Sequence, residues 1–194
     1  MEIEDIAFYA QLASILEASA PKPGNVNPNF DFADTKYEHF IKSGVALGDS
    51  ALAAAKHGHA AGRGEIKTSD INVGGLIEEA VLQSSKWTHG RNTNLGITML
   101  LIPLCATAGM ALAKGNDFRE NIDPILTSTT YKDTLHLYAA VRLADPGGLG
   151  SSKKLDVHDP SSDEKIKDDG INIFDVMSAT KGDSIASELA TAYD

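Results

Sequence analysis

Ile97-Thr98-Met99-Leu100-Leu101-Ile102-Pro103-Leu104-Cys105-Ala106-Thr107-Ala108-Gly109-Met110-Ala111-Leu112-Ala113 carries no charged residue and is apolar on every side of a helix. A helix of that kind is either buried by other helices or crosses a membrane. The run falls short of the roughly 20 residues a bilayer needs, contains Pro103, and has neither a second span nor basic flanks. It is therefore read as the buried central helix of a bundle, spanning about residues 94–113. Pro103 is expected to bend it, because proline removes a hydrogen bond to Met99 and crowds that carbonyl.

Working outward, amphipathic helical patterns surround this run, and no segment shows the alternation of a strand. Ile3, Ile6, Ala7, Ala10, Ala13 and Leu16 give a first helix ending near Ala18. Tyr37, Phe40, Ile41, Gly44, Val45, Leu47, Gly48, Ala51, Leu52 and Ala55 trace one stripe of a long second helix, with Gly44 and Gly48 placed for close approach of another helix. Residues 57–64 read as a surface loop, and a third helix is expected from Thr68 or Ser69 to Trp87. Beyond the central run, Thr130-Tyr131-Lys132-Asp133 starts a helix with a capping box, and Asp145-Pro146-Gly147-Gly148 stops it. Residues 151–170 read as a long charged loop, followed by short helices at about 171–180 and 184–193. The fold class is all-α, one multi-helix domain over residues 1–194. The pattern is still helical where the chain stops, so a segment beyond Asp194 is an alternative expectation.

Composition narrows the partners. The 194 residues hold 27 acidic and 17 basic side chains, a formal charge of −10, with 42% hydrophobic residues and one cysteine. That balance argues against broad contact with nucleic acid or an anionic membrane. It permits a small anionic ligand held with a divalent metal. A lone buried Cys105 and an acidic N-terminus lacking a leader pattern predict a cytoplasmic protein. Alanine- and glycine-rich helix faces admit a homodimer.

Between the first two helices lies Ala20-Pro21-Lys22-Pro23-Gly24-Asn25-Val26-Asn27-Pro28, whose prolines enforce an extended, stiff elbow. Gly24 can take positive φ, and the elbow presents Lys22, Asn25 and free backbone N–H groups. Other polar residues collect at expected helix starts: Asp34 at the second helix, Asn92-Thr93-Asn94 at the central one, Asp133 and Asp183 later. Capping explains each one singly. Several such starts meeting at one end of a bundle would also bind phosphate through N–H donors and magnesium through oxygen. Of Glu78 and Glu79, one is expected to face inward.

The order of these segments resembles the triphosphoribosyl-dephospho-coenzyme A synthase family. The resemblance rests on Pro21-Lys22-Pro23-Gly24, on Asp34 followed by Phe40 and Ser43, on Gly75-Leu76-Ile77-Glu78-Glu79, on Asn92-Thr93-Asn94-Leu95-Gly96, and on the turn at 146–150. It implies an enzyme that moves the 5-triphosphoribosyl group of ATP to a ribose hydroxyl of 3′-dephospho-coenzyme A or a related acceptor, releasing adenine. By that resemblance Asp34 and Glu79 are the catalytic carboxylates. Lys22, Gly24, Asn25, Ser43, Asn92, Thr93, Asn94, Gly147 and Gly148 bind substrate, and Asp34 and Asp133 hold Mg2+. Two departures stand out: bacterial members carry His-Lys where this chain has Asn94-Leu95, and a histidine where it has Phe32. A nucleotide- or coenzyme-binding protein without catalysis, and a helical assembly protein, are the alternative readings.

Overall fold

The computed structural model describes residues 1–147, 155–180 and 182–194. Among them it is built from α-helices and short 3₁₀ turns, with no strand: α1 (Ile3–Ser19), α2 (Tyr37–Ala46), α3 (Gly48–Gly62), α4 (Val73–Thr88), α5 (Leu95–Lys114), α6 (Ile122–Thr127), α7 (Tyr131–Ala144), α8 (Pro160–Asp169), α9 (Ile173–Ala179) and α10 (Ser184–Ala190).

The apolar run forms α5, which continues through Pro103 and ends at Gly115 in the left-handed conformation (φ +64°). Glycine suits that position because it carries no Cβ. By length and composition α5 could cross a membrane, but 61% of its most apolar stretch is already covered by this chain. Its neighbours are α3, α1, α4, α6 and α10, so it is the central helix the sequence predicts. Thr107 returns its hydroxyl to the Pro103 carbonyl at 2.8 Å.

The tightest packing is between α3 and α5. A Cβ on Gly58 would lie 1.9 Å from the Ala106 carbonyl oxygen, and one on Gly109 would lie 1.9 Å from that of Ala55. Here the sequence reading needs correction. Residues 57–62 belong to α3 rather than to a surface loop, and Gly58 is buried backbone contact rather than a helix stop. The long second helix is divided at Leu47 into α2 and α3. Gly44 and Gly48 do admit α1 closely: Cβ atoms there would meet Ile15 and Gln11 side chains at 2.8 and 2.5 Å. The third helix begins at Val73, after a 3₁₀ turn at Thr68–Asp70 and a left-handed Asn72. The charged segment read as loop holds α8, opened by Asp159 accepting from the Ser161 amide at 2.9 Å with Pro160 in the first turn.

On α1 the buried face is Ile6, Ala7, Ala10, Ser14 and Ala18. Phe8, Tyr9, Leu12 and Leu16 lie on the opposite face, exposed. The helix is thus apolar on both sides rather than amphipathic.

Candidate functional site

Three of the predicted substrate residues meet at the chain between α4 and α5. Ser43 on α2 and Thr93 share a hydroxyl–hydroxyl hydrogen bond. Asn94 donates its side-chain amide to Ser84 Oγ at 2.9 Å and to the Ser43 carbonyl at 3.4 Å. All four residues are buried, so this knot fixes the 88–94 connection against α2 and α4 and leaves little for a ligand to touch. Asn94 is also the residue before the first turn of α5.

The residues flanking the knot are accessible. Arg91 and Asn92 are exposed, and Arg91 has no ion pair among the described residues. Facing it is the start of α2, where His39 is only 7% exposed and accepts the Lys36 amide on Nδ1 at 3.1 Å. Burial, together with the charges of Lys42, Arg91 and His89, holds the His39 imidazole below its ordinary range; the Glu38 carboxylate opposes them. Lys42, Arg91 and His89 are thus near enough to His39 to act on it, with Glu38 among them. Lys42 is held by Glu38 at 3.2 Å in an i,i+4 pair, a surface contact weak enough to exchange for a ligand. The exposed Arg91, unpaired among the described residues, offers its guanidinium to an anion there.

On the other side of the same connection Asn92 stands at the rim of a cavity of about 350 Å³. Its walls come from α5 (Leu95, Gly96, Met99), from α7 (Leu137, Tyr138), and from the α9–α10 corner with Asp183. The wall formed by 155–157 is fastened to α7: Tyr138 donates its hydroxyl to the Leu155 carbonyl at 2.7 Å, and Arg142 Nε donates to that of Val157 at 2.5 Å. Arg142 also grips Asp163 with two nitrogens, at 2.9 and 2.6 Å. Burial pushes the Tyr138 phenol up to about 12, so it stays a donor. A volume near 350 Å³ is at the small end of ligand sites, which run from roughly 300 to 1,000 Å³. It fits a nucleoside-sized group.

The remaining predicted site residues are placed apart. In the elbow, Gly24 has φ +76° as expected, Lys22 pairs with Glu17, and the Asn25 carbonyl accepts from Asn27. Val26, fully buried, anchors the elbow, and Ser19 Oγ meets the Tyr37 hydroxyl at 2.7 Å to tie it to α2. Asp34 is exposed in the loop before α2, with Thr35 donating to it at 3.2 Å. It does not open that helix: Asp31 accepts the Tyr37 amide, at 2.7 Å, and Lys36 precedes the first turn. Glu79 is exposed on α4, bonded to Gln83, whereas the half-buried Glu78 contacts His136 Nδ1 at 2.5 Å. Gly147 is exposed just past Pro146 of the cavity wall. Gly148 lies outside the described residues.

Asp133 requires a correction. Its Oδ1 accepts the Gly74 amide at 3.0 Å, and its Oδ2 accepts the Thr130 amide at 2.8 Å and the Thr130 hydroxyl at 2.9 Å. Both oxygens are thus spent on capping α7 and joining it to α4. Gly74 and Ser84 are ten residues apart on α4, about 15 Å along the helix. Asp133 therefore sits far from the knot, with both carboxylate oxygens already accepting hydrogen bonds. Among the described residues no group of three metal-binding side chains occurs.

An all-helical scaffold that sets an exposed arginine beside a nucleoside-sized apolar cavity suits a transferase acting on a nucleotide. Over residues 3–194 the chain matches the profile of the CitG family, ATP:dephospho-CoA triphosphoribosyl transferase, and it belongs to that family. It is an ATP-dependent transferase of the triphosphoribosyl group, with dephospho-coenzyme A as the family's acceptor. No curated protein and no solved structure matches the chain.

Within that family the chain's departures acquire a physical setting. Asn94 is consumed by the knot, and Leu95 forms part of the cavity wall. Beside the connection stands the exposed Arg91, and across it on α2 lie Lys42, paired with Glu38, and His39, whose imidazole is buried and held towards its neutral form. Sequence reasoning missed these three. The signals were there: Arg91 directly precedes the Asn-Thr pair, and His39 and Lys42 are three apart on the first turns of a helix.

Proposed function

We propose that ATP lies across the 88–94 connection, with its triphosphate over Arg91, beside His39, and its nucleoside in the cavity behind Asn92. The observation that supports this reading is the adjacency of Arg91 and Asn92, one on the cationic side and the other on the cavity rim. In the transfer, an acceptor hydroxyl attacks the anomeric carbon and gives up its proton. The bond to the adenine nitrogen breaks, and adenine leaves after taking up a proton there. The triphosphate stays on the ribose. Positive charge develops on the ribose in the transition state, and a nearby carboxylate stabilises it. Asp183 at the cavity rim is the carboxylate we assign to that role; its Oδ1 accepts the Ala186 amide at 2.8 Å, which fixes its orientation.

Magnesium fits this arrangement in one way. It binds nucleotides through one or two carboxylates plus phosphate and water oxygens, and Asp34, exposed near the start of α2, is the carboxylate we assign to it. The ion would neutralise triphosphate charge. To the Lys22–Gly24–Asn25 elbow, which follows the Ser19–Tyr37 tie to α2, we assign the outer end of the phosphate chain.

Steady-state kinetics test the placement. Arg91→Ala is expected to raise the ATP KM at least tenfold, and Asp183→Asn to lower kcat at least a hundredfold with little change in KM. An Asp183→Asn enzyme with undiminished kcat would remove that residue from the chemistry.

A further inference from the structure

The cavity behind Asn92 accommodates one nucleoside, and the reaction brings two adenine nucleotides together. A second recess, about 690 Å³, opens between α1, the α2–α3 junction and the end of α4, where the chain enters that connection. Its chemistry is specific. Trp87 lines it and is the chain's only tryptophan, yet it is 62% exposed, so a broad aromatic face is left open in a concave surface. Gln11 and Gln83 also line it, their amides donating to the Val45 carbonyl and to Glu79, with Asp49 adding a carboxylate and Lys42 a cation that pairs with Glu38. Lys42 also bears on His39, so the recess adjoins the triphosphate site. Trp87 stands five residues before Asn92 in the chain.

We propose that this recess binds the adenosine-pyrophosphate half of the acceptor, 3′-dephospho-coenzyme A, with the adenine stacked on Trp87 and the pyrophosphate on Lys42. The inference rests on the transferase reading above and assigns its second substrate. An indole face stacks any base without reading its identity, and an ammonium offers a point charge to a diphosphate. Asp49 suits the exocyclic amine of the ring rather than the phosphates. The recess is about twice the volume of the cavity behind Asn92, and it is open, as the larger ligand requires, with its pantetheine arm leaving to solvent. Two recesses adjoining one short connection would bring the acceptor hydroxyl and the ATP ribose towards each other.

Because Trp87 is the only tryptophan, indole fluorescence reports this recess alone. Titration with 3′-dephospho-coenzyme A is expected to quench it saturably, while ATP with magnesium, held first at its own site, is expected to need at least tenfold higher concentration for the same quenching. In turnover, Trp87→Ala is expected to raise the acceptor KM at least tenfold and leave the ATP KM within twofold, and Trp87→Phe is expected to restore most of the loss. Quenching by ATP but not by the acceptor, or an unchanged acceptor KM in a folded Trp87→Ala protein, would overturn the assignment. Adenine release without acceptor-induced quenching overturns the recess and leaves the transferase reading. Quenching without adenine release leaves the recess standing and overturns the reaction.

Discussion

Replacing Gly109 by alanine should be among the most damaging small changes available to this protein. The new Cβ would lie 1.9 Å from the Ala55 carbonyl oxygen. An ordinary contact between such atoms is about 3.3 Å, so α3 and α5 would have to separate by more than an ångström along their closest line. Both helices are buried there, and the obstruction is backbone, which no rotamer change relieves. Overpacking of this kind costs about 1–3 kcal/mol, and here the separation also loosens neighbouring contacts. Alanine's better helix propensity returns about 1 kcal/mol. Taken at the upper end of that cost, because the obstruction is backbone, the net loss is about 2 kcal/mol, which in a chain of this size lowers Tm by about 4–8 °C. Gly44→Ala is the control, because its Cβ would meet the Ile15 side chain at 2.8 Å, and a side chain can turn away. Its change should be within about 1 kcal/mol of zero. Urea denaturation followed by circular dichroism measures both. A Gly109→Ala protein as stable as wild type, or more so, would refute the close helix contact.

Other consequences can be checked together. Asp133→Ala should cost about 2–4 kcal/mol, since it strands three donors at a buried position, and it should leave the magnesium requirement unchanged; a shifted magnesium dependence would return Asp133 to the metal site. Because His39 is held below its ordinary range, the unfolded chain binds the extra proton. Stability from this residue is therefore full above about pH 6.5 and falls as the pH drops below that value. Binding a triphosphate beside His39 should raise its affinity for protons, so ATP binding should take up protons near pH 6. Calorimetry in buffers of differing ionisation enthalpy measures that uptake, and the uptake should vanish in His39→Gln. Ser43→Ala should weaken ATP binding less than Arg91→Ala does, because the Ser43 hydroxyl is spent on Thr93; isothermal titration compares the two.

Much of the scaffold was legible because single periodic stripes dictate single helices. The uncharged run gave α5, the Thr130–Asp133 signature gave the start of α7, and the three prolines with Val26 gave the elbow. Where the reading failed, glycine was the reason. Gly58 and Gly62 look like loop punctuation, but they are the places where α3 meets α5 backbone to backbone, a fact about a partner distant in sequence. The failure at α8 came from charge: Asp159-Pro160 and Gly170 mark a helix start and stop, and the acidic and basic residues between them obscured it.

The site was legible in part for the same physical reason. Ser43, Thr93 and Asn94 could be gathered by resemblance, but whether they face a ligand or one another depends on tertiary packing. It is packing that turned them into a buried knot and left Arg91 and Asn92 exposed and Lys42 half-buried. Asp34 and Glu79 carry no partner in sequence that fixes where they point, and the structure sets them on separate elements.

The most direct test of the whole account is chromatography of the products formed from ATP, magnesium and 3′-dephospho-coenzyme A. The account predicts free adenine in equal amount to a coenzyme product heavier by one triphosphoribosyl unit, with both lost together in Arg91→Ala at limiting ATP. Release of ADP or phosphate in place of adenine, or no turnover by a folded protein that binds both nucleotides, would contradict it.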